Sequence, residues 1–212
     1  MKRILVITFI LCVFSLSEGC AAGREKYNFN SDWLLKIGDV PNAQAVGFED
    51  SDWNMVTLPR AFNENESFKV AIDQLTDTIV WYRKHFKVAV LDARKVFVEF
   101  EGVRQGFDLT PYMKNGDNVM AVRVDNDWSY KEVSTNTKFQ WHDNRFNCNY
   151  GGIPKNVFLH VTNDVYQTLP LYNNLKTTGL YVYATDFDIK NRKAKIHVES
   201  EVKNDSHKSR KF

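Results

Sequence analysis

The sequence predicts an all-β protein, and three observations carry that prediction. Apolar and polar residues alternate with a period of two over most of the chain after residue 80. No stretch of more than about ten residues carries an apolar stripe at helical spacing. Turn formers such as Asn, Asp, Gly and Pro separate the alternating runs. Aromatic residues, 14% of 212 positions, suit the same class, because large rings pack well on a pleated, half-buried surface.

Taken in order, the chain begins with Lys2 and Arg3 and an apolar run from Ile4 to Leu16 that is too short to span a bilayer. Together they read as a secretory leader over residues 1–22, which places the mature chain outside the cytoplasm. Two readings of its end stand. Ser17-Glu18-Gly19-Cys20 is similar to a bacterial lipoprotein box, with Ser17 where leucine is usual. Lipidation of Cys20 anchors the protein to a membrane, in a bacterium the outer membrane; ordinary cleavage near Ala21 or Ala22 releases it into the periplasm. With Cys12 and Cys20 in or beside the leader, the mature fold holds only Cys148, so no internal disulfide is expected. Asn147 and Asn149 flank that thiol and no activating base lies near it in sequence, which reads as a bystander.

The segment before Trp81 is loop-rich and punctuated by Pro41 and Pro59. Strand patterns follow. Val96, Val98 and Phe100 oppose Phe97, Glu99 and Glu101; Met120, Val122 and Val124 oppose Ala121 and Arg123; Val157, Leu159 and Val161 oppose Phe158 and His160. Pro111 and Lys114-Asn115-Gly116-Asp117-Asn118 supply a turn with positive φ. A boundary is expected at Asn163 to Pro170. Beyond it, Leu180 to Ile189 and Lys195 to Val202 form two strands joined by Lys190 to Lys193, with Ile196, Val198 and Val202 on one side of the second. Lys203 to Phe212 reads as a solvated tail. The 28 basic and 26 acidic residues are interspersed, with a net charge of +2, which excludes the basic stripe that nucleic acid requires.

Four fragments carry more than a fold class: Trp81-Tyr82-Arg83-Lys84, Phe100-Glu101-Gly102-Val103, the run from Phe107-Asp108-Leu109-Thr110 to Asp125-Asn126-Asp127-Trp128, and Tyr150-Gly151-Gly152-Ile153. In that order they resemble the amino-terminal sugar-binding domain of family 2 glycoside hydrolases, the β-galactosidase and β-glucuronidase group. Phe29 to Trp33, Asp50 to Trp53 and Val56 to Pro59 extend the resemblance. It implies a jelly-roll, galactose-binding-like β-sandwich over residues 25–163. Residues 164–212 then resemble the opening of an immunoglobulin-like sandwich, incomplete because such a sandwich needs about seven strands. The family continues from Val103-Arg104-Gln105 with a strand, an Asn-Gly turn and another strand; here Gln105 meets Gly106 directly. Losing such a hairpin of about twenty residues is expected to leave neighbouring strands unpaired. A truncated, internally deleted gene product accounts for both the gap and the early end.

The resemblance implies the amino-terminal fragment of a secreted β-galactosidase-like glycosidase of carbohydrate metabolism, without the barrel whose strand ends carry the catalytic glutamates. The expected partner is a β-galactoside-like carbohydrate, with no cofactor, metal or nucleic acid. Asn63, in Arg60-Ala61-Phe62-Asn63-Glu64-Asn65, matches the family's asparagine that reaches toward substrate. Asn147 or Asn149, ahead of the glycine pair, falls near a position that faces the sugar. Amides suit sugar hydroxyls because they donate and accept; a turn role serves each asparagine equally. Trp128 and Trp141 have the rings to stack on a sugar or to pack in the core. Glu99 and Glu101 lie two apart on a strand, at the separation a glycosidase's acids need, and read as a solvated face. His142-Asp143 lacks a further ligand, and neither Ser129 nor Ser134 sits in a nucleophile elbow. A stand-alone carbohydrate-binding lipoprotein is the alternative, and an interaction domain without ligand a third reading, since fold does not fix function.

Overall fold

A computed structural model of the protein describes residues 23–63, 78–88, 94–102, 105–126, 151–170 and 174–209. In chain order the strands are β1 (Glu25–Asn28), β2 (Trp33–Ile37), β3 (Asn54–Val56), β4 (Arg60–Ala61), β5 (Ile79–Val88), β6 (Arg94–Phe100) and β7 (Gln105–Asp108). A 3-10 turn at Thr110–Tyr112 leads to β8 (Gly116–Asp125), β9 (Gly152–Ile153), β10 (Val157–Asn163), β11 (Val165–Gln167), β12 (Leu180–Asp188), β13 (Lys193–Ser200) and β14 (Val202–Asn204). No α-helix occurs among the described residues.

Two four-stranded sheets, in the orders β1-β10-β6-β7 and β3-β2-β5-β8, share one core. The first contributes Val96, Val98, Val157 and Leu159, the second Trp33, Leu35, Val80 and Tyr82. The alternation read from the sequence is what makes this possible, because every second residue of each strand faces the other sheet. The protein is therefore a β-sandwich. Trp33 is fully buried and its indole N–H donates to the Phe29 carbonyl at 2.7 Å, so the ring fills the core without an unsatisfied donor.

Alternation alone misplaced some side chains. Phe97 points away from the core as expected, yet it is buried, because Tyr166 and Leu169 pack over it, the Phe97 and Tyr166 ring centroids 5.2 Å apart. Tyr166 belongs to β11, within the expected boundary, so that boundary segment is itself strand. β13 ends at Ser200, and Val202 lies on β14, which pairs with β11; the single strand read through Val202 is two strands in two sheets. β12 and β13 form a hairpin in which Leu180, Val182, Ile196 and Val198 are each more than half exposed.

At the expected gap, β6 and β7 pair directly, with Phe100 opposite Gln105 and Val98 opposite Phe107. A substitute partner thus takes up the backbone groups of β6. β7 and β8 are the outermost strands of their sheets, and a cavity of about 800 Å³, lined by Phe100, Phe107, Met120, Val122 and Ile153 among others, lies between them.

Candidate functional site

Two of the places singled out in the sequence, the Asn63 segment and the glycine pair, meet at the β4–β9 pairing. β4 pairs with β9, setting Arg60 opposite Ile153 and Ala61 opposite Gly152, and the Phe62 amide continues the ladder to the Gly151 carbonyl at 2.9 Å. This short pairing joins the Asn63 segment to the glycine pair, 88 residues away. The Asn63 side chain is buried, and its Oδ1 accepts a hydrogen bond from the Gly151 amide at 3.1 Å.

The glycines are needed for approach as well as for bending. A Cβ on Gly151 would lie 2.1 Å from Phe62 Cε1 and 2.7 Å from Asn126 Nδ2, and one on Gly152 would lie 2.2 Å from the Tyr82 hydroxyl oxygen. Gly152 also has a φ of 112°, a backbone state that other residues rarely adopt. The Tyr82 hydroxyl donates to the Arg60 carbonyl at 2.7 Å, and burial pushes its pKa up to about 12, so it is a fixed donor and not an acid–base group. Asn126 follows β8 directly, its amide donating to the Thr78 carbonyl at 3.0 Å. Arg60, Phe62, Asn63, Tyr82, Asn126 and the glycine pair thus converge from β4, β5, β8 and β9.

Elsewhere, ionisable groups are paired for structure. Arg83 is fully buried, and its Nε donates to Asp50 Oδ2 at 2.6 Å while its Nη1 bonds the carbonyls of Ala43 and Ala45. Burial alone would raise the Asp50 pKa; the hydrogen bonds from Arg83 and His85 outweigh it and hold the carboxyl below its usual value. Glu99 accepts from His160 Nε2 at 2.8 Å and sits 3.6 Å from Lys26. Arg24 Nε donates to Nδ1 of the same imidazole at 3.1 Å; because a guanidinium only donates, the ring proton sits on Nε2, aimed at Glu99. Glu101 lies in the turn beyond β6 and accepts from Asn156 Nδ2 at 2.9 Å. The two glutamates are therefore committed to different partners. Among the described residues no group of three or more His, Cys, Asp or Glu side chains is placed to hold a metal.

Of the sites read from the sequence, Asn63 is described. Asn147, Asn149, Cys148 and Cys20 lie outside the described residues, as do Trp128, Ser129, Ser134, Trp141, His142 and Asp143. Arg60, Tyr82 and Asn126 were present in the quoted motifs, but nothing local marks them as neighbours. Their convergence depends on β4 finding β9.

No protein-family model matches the chain. A β-glucuronidase from Formosa agariphila is 37% identical over 86% of this chain and 21% of its own length. A β-galactosidase from Bacteroides ovatus is 28% identical over 90% of this chain and 23% of its own length. A solved β-glucuronidase of glycoside hydrolase family 2 superposes with a TM-score of 0.69 at 36% identity, over 85% of this chain and 22% of that one. The chain belongs to glycoside hydrolase family 2 and matches the amino-terminal part of its members. It spans about a fifth of the length of the curated relatives it matches. The alignment to the Formosa enzyme runs over 212 positions yet uses only 86% of this chain, so that relative carries residues that face a gap here.

Proposed function

We infer that this chain is the sugar-binding front module of a secreted, β-galactosidase-like family 2 glycosidase, holding a β-galactoside-like carbohydrate without cleaving it. The observation that carries the reading is the β4–β9 pairing, which sets Asn63 beside Gly151 and brings the segments before residue 64 and after residue 150 to one end of the sandwich. Asn63, Asn147 and Asn149 are the amides assigned to the sugar, Asn63 through the Gly151 segment that its buried side chain holds. Residues 25–163 form the sugar-binding domain, and residues 164–212 begin the second, immunoglobulin-like one. Glu99 and Glu101, each engaged by its own partner, supply no acid pair across a glycosidic bond.

Two measurements test the reading. The purified chain is expected to leave a chromogenic β-galactoside intact; turnover above a blank overturns the non-catalytic role. By calorimetry, monosaccharides bind at best in the millimolar range, weakened further by Asn63→Ala. A second reading, a stand-alone carbohydrate-binding lipoprotein of the outer membrane, draws on Cys20 in its lipoprotein-like box. It predicts tight sugar binding by the chain alone and a lipid-modified Cys20 in mass spectra of the membrane fraction. A released, unmodified chain in the periplasm rejects it.

A further inference from the structure

β8 pairs with β5 along all ten of its residues, without a register shift, and among the described residues nothing pairs with its other edge. Natural edge strands of this length are normally blunted by lysine, proline, a bulge or a covering segment. β8 has no lysine, proline or bulge. Its inward side chains Met120, Val122 and Val124 pack only partly against the core, and Ala121 packs partly on the opposite face. Beside this edge lies the cavity of about 800 Å³ between β7 and β8, with Phe107 and Tyr112 exposed among its lining residues.

We propose that this open side is an interface with a second copy of the chain, formed by antiparallel pairing of β8 with β8 across a two-fold axis; it goes beyond the sugar-binding reading and uses none of that site's residues. The charge order of the strand selects the partner and the register. With Met120 opposite Met120 on the axis, Asp117 falls opposite Arg123 and Arg123 opposite Asp117, giving two opposite-charge cross-strand pairs. With Ala121 on the axis, Asp117 would face Asp125, like against like. In the favoured register Ala121 meets Val119 on the outer face, and Val122 meets Asn118 on the inner one. The inner apolar surfaces then run on from one copy into the other, and the two cavities open toward each other. Among the described residues of one chain, Asp117 pairs loosely with Lys87 at 3.5 Å, both side chains highly exposed, and Arg123 bonds Asp39 and Asp125 at 3.3 Å, contacts it shares or exchanges when it meets Asp117 of a second copy.

Sedimentation of the full chain tests this. A reversible dimer is expected at micromolar concentration. Asp117→Arg and Arg123→Asp each weaken it about tenfold, and the double swap, which restores opposite charges, recovers it. Because Arg123→Asp also removes the Asp39 contact, Met120→Lys serves as an independent variant that places two cations on the axis and yields a monomer, with circular dichroism reporting an unchanged fold. A monomer at every concentration overturns the proposal. So does a dimer indifferent to Met120→Lys, or a double swap no better than the single ones.

Discussion

At the scale of single residues, the sandwich depends on a few side chains whose alternatives are poor. Among the described residues Asp50 is the only carboxylate bonded to fully buried Arg83, and truncating one partner of a buried pair leaves the other charge stranded. Asp50→Ala is expected to cost about 3–5 kcal/mol in chemical denaturation, while Lys36→Ala, which loses only an exposed pair with Asp52, costs less than about 1 kcal/mol. Gly152→Ala puts a methyl group against the Tyr82 hydroxyl at a positive φ, a loss of about 1–3 kcal/mol by the same assay. A bend with close backbone approach was legible in the paired glycines; only the fold reveals that the groups approached are Phe62, Tyr82 and Asn126. Asn63 is similar: the segment Arg60 to Asn65 could be singled out from the sequence, whereas its hold on Gly151 spans a separation that no local pattern encodes.

Among elements, the inner face of each strand was the easiest to read. Val96, Val98, Val157 and Leu159 alternate as expected and build the core their spacing implies, while on the other face of β10 His160 and Thr162 are buried as well. The reading failed where a third layer intervenes. Phe97 looks solvent-facing from its register and becomes buried because Tyr166 and Leu169 return over it; Val202 continues the alternation of β13 yet departs to pair with β11. Tertiary pairing, not pattern, decides both. Hydrogen exchange should separate the elements accordingly. Amides of β5, β6 and β10, each paired on both sides or buried in the core, exchange slowly, while those of β12 and β13, whose apolar face stays exposed, exchange at least tenfold faster. Equal protection across all five strands would mean that the hairpin's apolar face is covered in solution.

For the whole molecule, carboxylates held low by folding set the response to acid, and among the described residues Glu99, Asp50 and Asp205 are the partly buried ones. The hydrogen bond from His160 is the main influence holding Glu99 low. For Asp50 and Asp205 burial pushes upward, but bonds from Arg83 and His85, and from Lys95, Lys203 and Tyr166, prevail. Groups whose pKa is depressed on folding stabilise the protein above their unfolded values and lose that contribution as pH falls through the folded ones. Melting temperature should therefore be level from neutrality to about pH 5 and fall below it, with a shallower fall in Glu99→Gln; a melting temperature that rises on acidification contradicts these pairings. The arrangement of the first sheet bears on when the molecule can exist at all. β10 lies between β1 and β6 and supplies the pairing for both, so a strand made near residue 25 waits for its neighbour until residue 163 has been synthesised. Such distant pairing raises contact order and slows folding. A nascent chain emerging from the ribosome thus keeps this sheet unformed through most of translation, an interval in which its unpaired strands stay open to chaperones and to aggregation.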